Sequence, residues 1–502
     1  MLGKKLVLGT STKFFVYGFS IIASIIAARL LGPTVLGTVA GPVAFVNMFT
    51  FILGMGIGSA HIKRVSEGKD LGKCNGTFIF LKVIFLLIFL IVTISGFIIF
   101  KYALHRQFES EIYQQIILIA IVGLILKDIT GIGITTFSAR TEQARSDLVS
   151  TAESIFTGIF KIIVAIMGWG AVALAISPVM ATLLITPLAY YYFRDYPISR
   201  WDKEYLKSYL QFGVPIFLVN MVNKYMHNLD KVMIDYFWDA REVGIYSGGE
   251  RLSTFILMIS NTVGLLFFPT FSRLYAENNV TAINRTIIKY ERFLYLFLMP
   301  LLITIMIFSP QLVKITLGKE YSGSAIILSI LAFSTFIMTL NTPFGNLMLG
   351  ANMIKLSAII SIIFLILSYI GNLFFISPAF LSMAALGAAI ATGAVNIIYG
   401  VSARVIIRIK IAGIKVLSNL HLAIYGILSF ILLLLINRAL VHHLTTIQLF
   451  IIPLLYLILT YALFFMLKWL TRDDFMLVWE NIRISNIISY IKSELKKNAS
   501  KK

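Results

Sequence analysis

The chain has 502 residues, 58% hydrophobic and 13% charged, with a formal net charge of +20. So few charges cannot coat a water-soluble globule, where about a quarter of residues are charged, and a single cysteine, Cys74, excludes an internal disulfide or a cysteine-based metal cluster within one chain. The positive charge sits in short segments between apolar runs, which argues for membrane topology and against nucleic acid as a partner.

A helix needs about 20 apolar residues to cross the hydrocarbon core. Lys4 and Lys5 precede a stretch long enough for a full span, so the start reads as a first transmembrane helix rather than a cleaved leader. In chain order, spans are predicted at 8–31, 37–62, 75–100, 114–138, 148–168, 171–193, 208–237, 243–270, 286–309, 323–349, 354–376, 382–403, 418–437 and 446–467. That is about fourteen by the length criterion. One set of joints is basic, including Lys63, Arg64, Lys69 and Lys73, then Arg194, Arg200, Lys203 and Lys207, then Arg404, Arg408, Lys410 and Lys415. The alternate joints are poor in Lys and Arg, which places both termini in the cytoplasm. The tail carries Phe475, Val478, Ile482, Ile487 and Ile491 among lysines, the pattern of an amphipathic helix lying on the inner membrane surface.

An internal repeat is visible. Gly37 and Gly41, at the mouth of the second span, correspond to Gly244 and Gly248 at the mouth of the eighth. A six-helix unit used twice, with two helices added, explains the spacing, as in transporters that bind substrate between repeats. The expected organisation is an N-terminal lobe over 1–200, a C-terminal lobe over 201–412, two further helices over 413–470, and the cytoplasmic tail over 471–502. The fold class is all-α and polytopic.

Polar residues within spans are costly and face a cavity or one another. In the seventh span Asn220, Lys224, His227, Asn228, Lys231 and Asp235 fall in one sector of about 100° at a helical period. Ser150, Glu153, Thr157 and Lys161 form a stripe on the fifth span, Lys13, Tyr17, Ser20 and Ser24 on the first, and Ser247, Glu250, Arg251, Thr254 and Asn261 on the eighth. Four stripes imply a shared wet cavity. The alternative is interhelical pairing, Asp230 with Lys231 and Glu250 with Arg251. The mid-span cations Lys127, Lys161, Lys224, Lys231 and Arg251 outnumber Asp128, Asp230 and Asp235, so the cavity is expected to be cationic and to suit a phosphate or diphosphate. Gly54, Gly56 and Gly58 lie in a span and read as packing or flexing positions. No phosphate-binding Gly-Lys-Ser/Thr loop occurs, so a gradient rather than ATP is expected to drive any transport. His442-His443 has no third ligand, and no metal or cofactor is expected.

The stretches Ala28-Arg-Leu-Leu-Gly-Pro-Thr-Val-Leu-Gly37, Leu229-Asp-Lys-Val-Met-Ile-Asp-Tyr-Phe-Trp238, Val243-Gly-Ile-Tyr-Ser-Gly-Gly-Glu-Arg-Leu252 and Leu317-Gly-Lys-Glu-Tyr321 resemble the polysaccharide (O-antigen type) flippases of the multidrug/oligosaccharidyl-lipid/polysaccharide exporter superfamily. The resemblance implies two six-helix lobes around a central cavity and alternating access. Its substrate would be a polyprenyl-diphosphate-linked oligosaccharide, turned from the inner to the outer leaflet of the cell membrane. It ties Asp230, Lys231 and Arg251 to substrate handling, with Lys224, Lys161, Lys127, Asn220 and His227 as further candidate contacts. Asp235, Asn228 and Glu153 are candidate ligands for a coupling ion, Na+ or H+. Asp235 departs from the small residue that relatives often carry there. The two added helices resemble those of lipid-linked peptidoglycan precursor flippases, which keeps that substrate open. A polysaccharide polymerase and assembly proteins are the expected partners beside membrane lipids, with the chain acting as a monomer. A multidrug exporter of the same fold would want an acidic cavity. A membrane glycosyltransferase or polymerase would want a large outer loop with catalytic carboxylates, and the outer joints here are short. The chain therefore reads as a transporter rather than an enzyme.

Overall fold

The computed structural model describes residues 2–103, 110–351, 353–411, 413–414, 419–440 and 448–469. The amphipathic helix expected in the tail and the pair His442-His443 lie outside the described residues. The described elements are helices: α1 (Leu2–Met48), α2 (Phe51–Gly54), α3 (Ile57–Ser66), α4 (Leu71–Ala103), α5 (Glu111–Ala139), α6 (Gln143–Met167), α7 (Gly170–Phe193), α8 (Lys203–Phe237), α9 (Ala240–Ala276), α10 (Val280–Ile307), α11 (Ser309–Thr316), α12 (Ser324–Gly350), α13 (Ile354–Ile376), α14 (Ala384–Lys410), α15 (Leu420–Leu440) and α16 (Gln448–Met466), with a 3-10 turn at Lys319–Tyr321.

Among the described residues the segments expected to span are helical, the second of them divided among α1, α2 and α3, and the physical reason is uniform. Inside hydrocarbon a backbone can satisfy its own polar groups only by closing them into a helix. Among the described residues nine helices are long and apolar enough to cross a bilayer, and His421–Leu435 and Ile451–Met466 are shorter apolar ones. α8 and α9, of 35 and 37 residues, are helices that carry the charged stripes. Large apolar side chains such as Ile91, Leu428 and Leu459 are exposed at 66%, 61% and 66%, an exterior that lipid tolerates and water does not. The chain is a multi-pass membrane protein.

The first expected span is the first arm of α1, and the second runs from its other arm through α2 and α3; the two arms meet in a bend at Gly32 (φ 79°, ψ 170°) ahead of Pro33. A left-handed φ before a proline suits a glycine, and the bend makes the turn that the sequence placed between spans.

The described chain divides into two compact units, meeting at Ser247–Gly248 within α9. Residues 201–247, assigned from the sequence to the second lobe, belong to the first unit, where α8 packs on α1 and α3. In that unit α5 and α6 both pack along α7; in the other, α12 and α13 both pack along α14. The same pairing thus recurs six spans later. α15 and α16 lie on α10. There Arg292 donates to the Trp469 carbonyl at 2.6 Å and Tyr461 to the Phe297 carbonyl at 3.1 Å.

Two of the repeat-related glycines meet each other. A Cβ on Gly37 would lie 1.6 Å from the Ala240 carbonyl oxygen, and one on Gly244 would lie 1.9 Å from that of Pro33. The backbones of α1 and α9 therefore touch, as small residues allow in membrane helices. Gly37→Ala is expected to destabilise the protein by about 1–3 kcal/mol, the usual cost of overpacking, or more because backbone must move. The readout is the melting midpoint of the purified protein, and an unchanged midpoint would mean the contact is absent.

Candidate functional site

α8 starts cleanly. The Asp202 carboxylate accepts from the backbone N–H groups of Glu204 and Tyr205, capping the helix, and Lys73 Nζ lies 3.1 Å from its other oxygen. The Lys73 hydrogen bond, ahead of the helix amides, holds this carboxyl below its usual range. At the neighbouring joint Glu142 pairs with Arg140 at 2.9 Å and Arg145 at 2.7 Å, and accepts from the Tyr196 hydroxyl. Burial, then the bond to Glu142, pushes the Tyr196 phenol up to about 12, so it stays a neutral donor.

The polar stripe of α8 divides along its length. At about 100° per residue, His227, Asn220, Lys231 and Lys224 take one half of the sector, and Asp235 and Asn228 the other. Lys224 and His227 are exposed and Asn220 and Lys231 half-buried, whereas Asn228, Asp230 and Asp235 are buried. The buried acids have neutral donors. Tyr113 on α5 donates its hydroxyl to Asp235, and Tyr246 on α9 donates to Asp230. The Asn228 amide bonds back to the Lys224 carbonyl at 2.8 Å. The accessible half of the stripe thus presents two lysines and a histidine, with both carboxylates turned into protein.

The other predicted residues fall in different places. Glu153 on α6 accepts from Thr182 on α7 at 2.8 Å, and Lys161, two turns further along α6, is half-buried. Lys127 on α5 is exposed, and its neighbour Asp128 pairs instead with Lys82 of α4 at 2.5 Å. Arg251 belongs to the second unit, half-buried near the Glu250 carboxylate and Tyr321. Many hydroxyls counted as stripe members are satisfied within their own helices: Ser150 donates to Ser146 O at 2.9 Å and Thr157 to Glu153 O at 2.8 Å. The side chains of Lys13, Tyr17 and Asn261 lie outside the described residues.

Three polar clusters escaped the sequence reading. Lys82 is a single charge within a strongly apolar span, with no polar stripe around it to mark a face, and it pairs with Asp128. His61 is fully buried, with Nδ1 2.9 Å from the Tyr209 hydroxyl and Nε2 3.0 Å from Thr136 Oγ1, its ring stacked on Phe78 at 4.2 Å. Its partners come from α5 and α8, which no local pattern could reveal. In the second unit Glu291 of α10 pairs with Arg404 of α14 at 2.9 Å. Arg404 had been counted with the topogenic charges of a joint; the signal missed was a glutamate inside an apolar span.

The family described as "Polysaccharide biosynthesis protein" matches residues 26–326. Teichuronic acid biosynthesis protein TuaB of Bacillus subtilis (strain 168) is 27% identical over 156 residues, 31% of this chain and 32% of that one. Probable low-salt glycan biosynthesis flippase Agl15 of Haloferax volcanii is 26% identical over 176 residues, 35% of this chain and 36% of that one. The chain thus spans about a third of the length of these relatives in each alignment. Among solved structures, lipid II flippase MurJ in an inward closed conformation superposes with a TM-score of 0.72 at 13% identity, covering 91% of this chain and 99% of that chain. That likeness is one of fold. With the family matched over more than half of its length, the chain belongs to the polysaccharide biosynthesis protein family of multi-pass membrane proteins.

Proposed function

We propose that the chain flips a polyprenyl-diphosphate-linked oligosaccharide from the inner to the outer leaflet of the cell membrane by alternating access. The observation that carries this reading is the divided face of α8. Lys224 and Lys231 stand on its accessible half, while Asp230 and Asp235 are buried against tyrosine hydroxyls. Accessible cations attract an anion, and lysine binds phosphate oxygens as a point charge. The names of the two sequence relatives, one a teichuronic acid biosynthesis protein and one a glycan flippase, support a saccharide cargo. An ion gradient drives the cycle. Asp235, Asn228 and Glu153 are the residues proposed to answer to Na+ or H+, since each is a buried or half-buried oxygen-bearing group in a span. Both termini face the cytoplasm.

The test is reconstitution in sealed vesicles with a labelled polyprenyl-diphosphate oligosaccharide, its outward appearance read by a membrane-impermeant lectin or quencher. Flipping above protein-free vesicles, slowed when ionophores collapse ion gradients and membrane potential, is the expected result. A rate indifferent to those gradients would remove the coupling. A rate equal to protein-free vesicles would remove the flippase reading itself.

A further inference from the structure

The second expected span is not one helix. Between α2 and α3 the chain turns at Met55 (φ 25°) and Gly56 (φ 67°), so the run of i to i+4 hydrogen bonds is interrupted inside hydrocarbon. Left-handed backbone at Gly56 is open to glycine and strained for other residues. Such a break persists in a membrane only where protein meets the carbonyls it frees. One of them, that of Leu53, accepts a hydrogen bond from Lys82 Nζ of α4 at 3.1 Å. The same ammonium is paired with Asp128 of α5 at 2.5 Å, with the two side chains only 12% and 11% exposed. α8 closes the other side: a Cβ on its Gly213 would lie 2.7 Å from the Met55 carbonyl oxygen.

A buried Lys–Asp pair between α4 and α5 would be interhelical glue if it stopped there, and buried pairs are weak evidence for stability. The third partner changes the reading. In an unbroken helix the Leu53 carbonyl would accept from the N–H of Ile57, four residues on. In the bent span the Lys82 ammonium stands in for that amide. A contact made in one conformation and not in the other shifts the equilibrium between them. We infer that Lys82, oriented by Asp128, is a positioning residue that holds the second span bent at Met55–Gly56. In the transport cycle the span straightens, and the Leu53 carbonyl passes from the Lys82 ammonium to the Ile57 amide. The cycle half of this inference rests on the proposed flippase reading; the brace itself does not.

The experiment pairs a distance with a rate. Spin labels at Thr34→Cys and Ile62→Cys, in a Cys74→Ala background of the full chain, flank the break, with α1 past Gly32 on one side and α3 on the other. A straight helix would put them about 42 Å apart along the axis, at about 1.5 Å per residue, and the bent span brings them closer. Lys82→Met and the milder Asp128→Asn are expected to lengthen the distance distribution towards the straight value. Flipping should fall roughly tenfold or more, as for loss of a hydrogen bond to a charged group. The swap Lys82→Asp with Asp128→Lys restores the pair but removes the ammonium from Leu53, so it should stay long and slow. A swap that recovers both readings would overturn the brace and leave only glue. A long distance with a wild-type flipping rate would overturn the place of straightening in the cycle. If the unaltered protein does not flip at all, the flippase reading falls, and the distances of Lys82→Met and the swap still judge the brace.

Discussion

Replacing Lys224 or Lys231 with Glu is expected to abolish flipping of a polyprenyl-diphosphate glycan while the protein still inserts and folds. Both lysines sit on the accessible half of the α8 stripe, so a carboxylate there stays partly solvated and does not disturb the core. They are seven residues apart, about 10 Å along the axis at about 1.5 Å per residue. That spacing suits successive positions of one diphosphate better than a single clamp. Replacement by Ala removes one charge-assisted contact and should slow flipping by about 10- to 100-fold. Replacement by Arg should be mildest, because charge is kept although the planar fork presents its donors differently. Under the proposed function, Glu adds repulsion where the diphosphate would rest. The same vesicle assay decides it. If Lys224→Glu and Lys231→Glu both flip at the normal rate, these lysines only hold helices together and the cationic-face mechanism is wrong.

Arg404→Met is expected to produce the largest loss of stability, about 3–5 kcal/mol, by stranding a buried carboxylate. Glu291 is 3% exposed, and one of its oxygens lies 2.9 Å from Arg404 Nη1. The rest of the guanidinium is engaged as well. Nε donates to Asn341 Oδ1 at 2.6 Å, Nη2 donates to the Leu340 carbonyl at 3.2 Å, and the group lies 4.7 Å from the Phe344 ring centroid. Asn419, just before α15, donates to the second Glu291 oxygen at 3.4 Å and to the Ile288 carbonyl at 3.2 Å. The network ties α10, α12 and α14 to the start of α15. Replacing both members with apolar residues, Glu291→Leu with Arg404→Met, should recover most of the loss, because the cost comes from one unpaired charge rather than from the missing attraction. Thermal unfolding of the purified variants is the measurement. A single variant as stable as the parent, or a double variant no better than the single, would show that the pair does not bear on the second unit's stability.

These two results bear on different parts of the molecule, and the sequence foretold them unequally. Lys224 and Lys231 were legible from periodicity alone, since a helix of fixed pitch puts residues seven apart on one face and apolar flanks identify the span. The helical class, the membrane setting and the place of nearly every helix follow for the same reason: hydrocarbon leaves the backbone one economical way to bond itself. The family resemblance was legible in short stretches around the second, seventh and eighth spans.

Which charges are bound to which was not. Asp128 was counted beside its neighbour Lys127 and in the fold turns to Lys82, 46 positions away. Asp235 shares a helix face with Lys224 and Lys231, yet tertiary packing buries it against Tyr113 while they remain more accessible. His61 finds its partners on α5 and α8, and Arg404 its carboxylate on α10. The break at Met55–Gly56 was readable only as glycines that pack or flex within a span; the bend holds because α4 and α8 close over the carbonyls it frees. Periodicity assigns a side chain to a face of its own helix, but a hydrogen bond or ion pair reaches only about 3 Å. Contacts that short depend on which neighbouring helix fills that face, and the packing of the helices alone settles it.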